Sequence, residues 1–415
     1  MRQMDQSRRK RRIGIFARTF RSFRYRNFRW LWCGAFTSTT GFFVAQVAES
    51  WYVYEQTSSE SLLGLTAFLN GLPILMFSVV GGVFADRMDR RYLLIGSQVM
   101  QMVAALGLAI LFFVEAIEIW HILTAAFVAG LGQAFGGPAY QALIPSLVPK
   151  KHLPNAIALL SIQFNLAGTL GRPIGGLVFK FFSPAMCFLV NALSFLAVIV
   201  SLLLLRIPFI PKPGQQNLIR SLLEGFRAIH ASAALRSLML LAVVTAFCGV
   251  PIALLLPVFA RDVFGLDAGG FGWMGAVLGA GAVVGALNVA RLGNAPKKGR
   301  DSLIMQVFLG VTIIGFALAR WLSLATGFLF LCGGAILAVF TMITSLVQLN
   351  VPEEMRGRIM SVHNTAFRGV MPLSNISCGY AAEKIGATNV LSFNGAVLIL
   401  VALWYAISGN EVSKL

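Results

Sequence analysis

Apolar runs of about 20 residues, separated by short polar breaks, recur along this chain from residue 30 onward. A run of that length crosses about 30 Å of hydrocarbon as a helix rising about 1.5 Å per residue. Twelve runs are visible: the first six are 30 to 54, 62 to 85, 92 to 114, 120 to 140, 156 to 181 and 185 to 205. The second six are 237 to 260, 270 to 291, 303 to 319, 323 to 345, 358 to 382 and 388 to 408. In lipid every backbone polar group must be satisfied within the segment, so the pattern predicts an all-α membrane protein with twelve transmembrane helices.

The one long polar break, RIPFIPKPGQQNLIRSLLEGFRAIHASAALR at 206–236, divides the runs six and six. Its Pro-rich start gives way to an amphipathic stretch with Leu222, Leu223, Phe226 and Ile229 on one face. A shift of 203 residues relates the two sides: Gly82 to Gly285, Val148-Pro149 to Val351-Pro352, and Gly176 to Gly379. The middle match sits in a longer parallel between LVPKKHLPNAIALLS at 147–161 and NVPEEMRGRIMSVHN at 350–364. Repeated halves of this kind are common in secondary transporters. The expected organisation is a basic arm (1–29), a six-helix bundle (30–205), a linker with a surface helix (206–236), a second six-helix bundle (237–408) and a tail (409–415).

Composition agrees: 57% of the 415 residues are hydrophobic, 12% are charged and the mean hydropathy is +0.77, against about 25% charged in an ordinary soluble domain. The net charge of +18 would suit a nucleic-acid partner only if it lay on one solvated face. Instead it follows the loops. The arm to Arg29, the loops after every second run and the tail together hold 28 of the 34 basic residues. The opposite face holds Lys180, Arg261, Arg320 and Lys384, and Arg172 and Arg368 fall inside runs. Such asymmetry places both termini in the cytoplasm and sets nucleic acid aside. The arm has no apolar core of a cleaved signal, so the first run is expected to act as the insertion signal. Its stretch FRSFRYRNFRW, 20–30, alternates arginine with aromatic residues and suits an anionic lipid surface. Cys33, Cys187, Cys248, Cys332 and Cys378 lie in runs without a CxxC pair and read as small packing residues.

Polar groups inside spans cost about 2.5 to 3.5 kcal/mol each when ionisable, and normally face a cavity or the bundle interior. Ser161, Asn165, Thr169 and Arg172 share one helical face of the fifth run, and Asn364, Arg368 and Asn375 repeat the stripe in the eleventh. Two arginines on equivalent helices point to a shared cavity for an anionic or carbonyl-rich ligand; the other reading of each is a group that satisfies helix carbonyls or a packed partner. The first run carries Gln46 and Glu49 on one face, Glu49 lying one turn inside an outer aromatic belt of Trp51, Tyr52 and Tyr54. A carboxylate at that depth is a candidate proton carrier, with an interfacial Glu reaching water as the alternative. His363 is a second titratable candidate, or a packing residue. Gln46, Gln133, Thr341, Ser345 and Gln348 are further candidate cavity liners, whereas Asn70, Asn191 and Asn288 read as helix-joining groups. Pro73, Pro138, Pro173, Pro251 and Pro372 are expected to kink their helices.

Between the second and third runs stands GGVFADRMDRR, 81–91. A glycine there permits close helix approach, a carboxylate at a membrane mouth can meet a neighbouring helix N-terminus, and the arginines serve the cytoplasmic charge bias. The segment resembles the helix 2–3 motif of the major facilitator superfamily, Gly-x-x-x-Asp-Arg-x-Gly-Arg-Arg, through Gly82, Asp86, Arg87, Arg90 and Arg91, with Asp89 standing where the family has its later glycine. AGLGQAFGGPAYQALIPSLVP (129–149), FLVNALSF (188–195), LLEGFRAIH (222–230) and LVQLNVPEEMRGRIMSV (346–362) are similar to the drug and siderophore exporters of that superfamily, which include macrolide efflux proteins and the enterobactin exporter. GTLGRPIGG, 168–176, resembles the antiporter signature Gly-Pro-x-x-Gly with Arg172 inserted before the proline.

The resemblance implies two six-helix bundles, a conformational-switch role for the 81–91 motif, and export from a bacterial inner membrane by a monomer. The expected activity is proton-coupled export of an amphiphilic small molecule such as a drug, macrolide or siderophore. A lipid or lysolipid translocator and a non-transporting sensor or scaffold are the alternatives. No nucleotide-binding loop, Ser/His/Asp set or metal-ligand spacing appears in the sequence, so neither an enzyme nor a cofactor is expected.

Overall fold

The computed structural model describes residues 20–205, 218–292, 298–408 and 412, and every regular element among them is a helix. The first half comprises α1 (Arg26–Thr57), α2 (Glu60–Arg87), α3 (Arg90–Phe113), α4 (Ile119–Leu143), α5 (Leu153–Phe181) and α6 (Pro184–Leu204). After a linker helix, α7 (Leu218–Ala231), come α8 (Ala233–Val263), α9 (Ala268–Leu292), α10 (Lys298–Leu318), α11 (Leu322–Leu349), α12 (Arg356–Ile385) and α13 (Ala387–Ile407). Leaving α7 aside, the helices match the apolar runs one for one. Ten are long and apolar enough to cross a membrane; α1 and α12 are long enough, at 32 and 30 residues, but more polar. The arm before Phe20, the linker stretch 206–217, the loop 293–297 and most of the tail lie outside the described residues.

Short polar side chains set the helix starts by accepting otherwise orphaned backbone N–H groups. Ser59 caps α2 through Leu62 N, Asp89 caps α3 through Arg91 N, Ser183 caps α6 through Met186 N, and Ser232 caps α8 through Leu235 N. The Ser232 cap starts α8 at Ala233, four residues before the boundary at 237 expected from apolarity. Similarly α1 begins at Arg26 rather than 30, since arginines at a helix end can keep their heads in water. Gly386, at φ +86°, breaks α12 from α13 in a conformation that side chains disfavour. Pro73, Pro138, Pro173 and Pro372 sit inside continuous helices, while α8 is interrupted at Pro251 and ends in a π turn over Phe259–Val263.

Packing repeats between the halves. In the first, α2 packs on α4, α3 on α4 and α6, and α1 on α5 and α6; in the second, α9 packs on α11, and α10 on α11 and α13. The halves meet through two equivalent pairs, α5 with α9 and α2 with α12. Each half has an even number of crossings, so α1 begins and α13 ends at one end, called here the basic end. One continuous core joins both halves at the far end, including Val44, Trp51, Tyr54, Leu63, Phe259, Phe271 and Cys378. The first half has a separate core at its basic end, including Phe28, Leu31, Ala85, Leu94, Leu143 and Leu202, which does not extend into the second half. The halves are fused at the far end and divergent at the basic end.

Candidate functional site

The far end is closed by small residues first and polar groups second. A methyl group on Gly176 of α5 would stand 2.9 Å from Gly269 Cα, and one on Gly379 of α12 would stand 2.9 Å from Gly64 Cα. The 203-residue repeat therefore has a structural meaning at this pair, because each glycine lets one cross-half helix pair touch backbone to backbone. Around these crossings Lys180 Nζ lies 2.8 Å from Asp267 Oδ2. Arg261 donates to Tyr54 O at 3.0 Å and Ser58 Oγ at 3.1 Å, and the Tyr54 hydroxyl donates to Asp262. Ser59 Oγ and Ser61 N donate to Glu383 Oε2 at 2.7 and 3.0 Å. Lys180, followed by the Gly270 backbone N–H, holds the Asp267 carboxyl below its ordinary range. Trp51 and Tyr54 are 5% and 2% exposed, and Trp51 stacks on Phe271 across the interface. They belong to this seal rather than to a lipid-facing aromatic belt, since the inter-half surface buries more of each ring than an interfacial position would. Tyr52 packs edge-on against Phe112 of α3.

From this seal the two polar stripes run toward the basic end. On α5, Arg172 donates to Gly168 O at 3.2 Å and lies over the Phe43 ring at 4.4 Å. Its stem fills space left by Gly275 of α9, where a methyl would come within 2.6 Å of Cδ. Asn165 donates to Ser161 O and Thr169 to Asn165 O, so the stripe is internally bonded down the helix. Exposure rises along it, from half-buried Arg172 and Thr169 to exposed Ser161. On α12, Asn375 is half-buried with its Oδ1 unpartnered, whereas Asn364 and Arg368 are exposed. Arg368 makes no hydrogen bond or ion pair among the described residues. The two arginines thus occupy different settings: Arg172 is held in the α5–α9 contact, and Arg368 faces open space.

A separate cavity of about 50 Å³ lies inside the first half, among α1, α2, α3, α4 and α6. Its polar lining is Gln46, Glu49, Asn70, Gln101 and Asn191, and its aromatic lining is Phe42, Phe188 and Phe195. Glu49 makes no bond or ion pair among the described residues. Asn70 Nδ2 donates to Ala126 O at 3.3 Å and Gln101 Nε2 to Ser97 O at 3.2 Å. Gln133, exposed on α4, reaches Gln101 Oε1 at 3.4 Å. His363 is elsewhere, fully buried in the α11–α12 seam with Nε2 at 3.3 Å from Thr344 Oγ1 and its ring stacked on Phe340.

In the 81–91 motif the glycine making a close approach is Gly81, where a methyl would run into the Ala134 carbonyl of α4; at Gly82 it would meet nothing within 4 Å. The resemblance assigned that contact to Gly82, one residue further around the helix, which here faces open space. Arg90 donates to Ala85 O and Ala142 O, and Arg91 to Leu203 O and Leu205 O. These arginines cap the carbonyl ends of α2, α4 and α6, so they bind helix dipoles as well as carrying loop charge. Asp86 and Arg87 are exposed, and Asp86 lies 3.8 Å from Arg90. Asp89 is an N-cap at φ −62°, a conformation that needs no glycine.

Sequence reasoning missed the seal's acidic members, Asp262, Asp267 and Glu383. Their signal was present in the opposite charges Lys180 and Arg261, which stand among the few basic residues of the far face. It also passed over Gln101 as a cavity residue, because a single Gln in an apolar helix resembles a packing group.

The family described as transmembrane secretion effector matches residues 17–410. Macrolide efflux protein A of Streptococcus pyogenes is 24% identical over 395 residues, covering 93% of this chain and 96% of that protein. The enterobactin exporter EntS of Shigella boydii is 27% identical over 385 residues, covering 90% and 86%. Among solved structures, a POT family transporter in complex with 5-aminolevulinic acid superposes with a TM-score of 0.77 at 14% identity, covering 94% of this chain and 97% of that one. A bacterial homologue of the lysosomal transporter Spinster, in an inward-facing and unoccupied conformation, gives 0.72 at 16% identity, covering 92% and 97%.

Proposed function

The chain belongs to the transmembrane secretion effector family of the major facilitator superfamily, and from that premise we propose that it exports an amphiphilic small molecule by alternating access, coupled to protons through Glu49. It is a multi-pass transporter related to macrolide, multidrug and siderophore exporters. The observation that supports alternating access is the asymmetry of closure. Cross-half glycine contacts and polar bonds seal the far end, while the α5 and α12 stripes become exposed toward the basic end. With the basic end in the cytoplasm of a bacterial inner membrane, as the loop charges favour, this is an inward-open state. Substrate would enter between the halves past Asn165, Asn364 and Arg368, and outward opening would require the far-end bonds to part. Glu49 lies eight residues from the far end of α1, about 12 Å along the axis, within the span.

The test is substrate-dependent proton flux in vesicles carrying the purified protein, with macrolides, cationic drugs and siderophores as the panel. Proton movement evoked by at least one of them and abolished in Glu49→Gln is the expected outcome. Transport by Glu49→Gln that still responds to a proton gradient would remove Glu49 from the mechanism. Lipid scrambling without solute flux would replace export by lipid translocation.

A further inference from the structure

The cavity inside the first half has a donor set that its helix-joining role does not explain. Asn70 and Gln101 each point their amide nitrogen at a backbone carbonyl, Ala126 O and Ser97 O respectively. A carbonyl only accepts, so both amide orientations are fixed and their oxygen ends are the sides left for other partners. The Gln101 oxygen takes one bond, from Gln133, leaving a lone pair. Asn191 is 8% exposed, and its Oδ1 is buried with no hydrogen-bond partner. Glu49 adds a carboxylate without a cationic neighbour. Among the described residues no Lys, Arg or His lines the cavity, and Glu49 is its one titratable group. These acceptors line one cavity, and the Asn191 oxygen among them is buried with no donor to answer it, a state that is normally satisfied by something.

We propose that this cavity binds a monovalent metal cation, with sodium as the physiological ion, held by the Glu49 carboxylate and the amide oxygens of Asn70, Gln101 and Asn191. Hard cations take oxygen ligands of this kind. A single carboxylate neutralises one positive charge; a divalent ion would leave a net charge within the membrane, at a cost of several kcal/mol or more. A volume of about 50 Å³ holds the ion with a water or two, since one water needs about 10 to 15 Å³ of such space. The bound ion displaces the proton from Glu49, so proton and sodium compete for one carboxylate. The inference rests on the coupling role proposed for Glu49 but makes a different claim, that a metal ion occupies the site.

Thermal unfolding of the purified full-length protein in detergent tests it without any gradient. At about pH 8, where a carboxylate is ordinarily ionised, sodium chloride is expected to raise the unfolding midpoint saturably while equal choline chloride does not. The shift should be absent in Glu49→Gln and need at least about tenfold more sodium in Asn191→Leu. Identical midpoints for the wild-type chain in sodium and choline chloride would overturn the proposal. So would a shift given by tetramethylammonium but not by sodium, which would assign the cavity to an organic ammonium group. Because the wild-type comparison needs no variant, poor folding of a mutant leaves the test intact. A sodium shift without substrate-dependent proton flux would keep the cation site and retire proton coupling, and the opposite pair of results would do the reverse.

Discussion

Arg172 and Arg368 show how one residue type in equivalent stripes acquires two settings. Arg172 is enclosed by Phe43, the Gly168 carbonyl and the glycines of α9, so it contributes to closing the halves whatever else it binds. Arg172→Gln is expected to lower both thermal stability and transport, because the planar stacking and packed stem are lost with the charge. Arg368→Gln should leave the melting midpoint nearly unchanged while reducing transport; paired melts and flux assays separate the two. At the adjacent glycines the contrast is steric. Gly81→Val meets the Ala134 carbonyl and should cost about 1 to 3 kcal/mol of stability. Gly82→Val finds open space and should be nearly neutral in this conformation. Equal melting shifts for the two would contradict the assigned contact.

At the scale of the helix, the 81–91 segment combines a cap, a clamp and an exposed carboxylate. Asp89→Ala should destabilise α3 by about 1 kcal/mol and Asp89→Gly by only a few tenths, since glycine is tolerated at that cap position. This difference accounts for an aspartate standing where the superfamily motif has glycine. Asp86 has one distant partner here, so Asp86→Asn should leave stability unmoved but lower turnover if the carboxylate latches a neighbouring helix in another conformation. Unchanged transport would end that role. On α7, Gly225 and buried Ile229 pack toward α12, and Glu224 pairs with Arg358 at 2.5 Å. Leu223 and Phe226 face outward instead. The amphipathic pattern identified the helix, but its apolar residues do not share one packed face, since Ile229 is buried while Leu223 and Phe226 are exposed.

For the whole molecule, the far-end bonds set the balance between states. Glu383→Gln and Asp262→Asn each remove a charge-assisted contact between the halves. The expected effect is a shift toward far-end opening, measurable as a longer spin-label distance across that end. Acid should not open the Lys180–Asp267 contact in the physiological range. The Asp267 carboxyl is held below its ordinary range, so the contact is fully present above the unfolded value of about 3.9 and is lost only as pH falls through the lower folded value. A spin-label distance at that pair that changed between about pH 7 and 5 would refute this assignment.

The helical spans were legible in the sequence, because crossing hydrocarbon demands long apolar helices, and the same demand makes each polar residue within them conspicuous. Repetition at 203 residues even marked Gly176 and Gly379, which stand at close approaches in the two equivalent cross-half helix pairs. What tertiary structure alone decided was pairing. Nothing along the chain tells whether Trp51 and Tyr54 meet lipid or the other half, or that Gly81 rather than Gly82 touches α4. The same holds for Glu49, whose company of Asn70, Gln101 and Asn191 comes from three other helices. The physical reason is that helical periodicity fixes which residues share a face, whereas the rotation and depth of each helix are set by the neighbours it packs against.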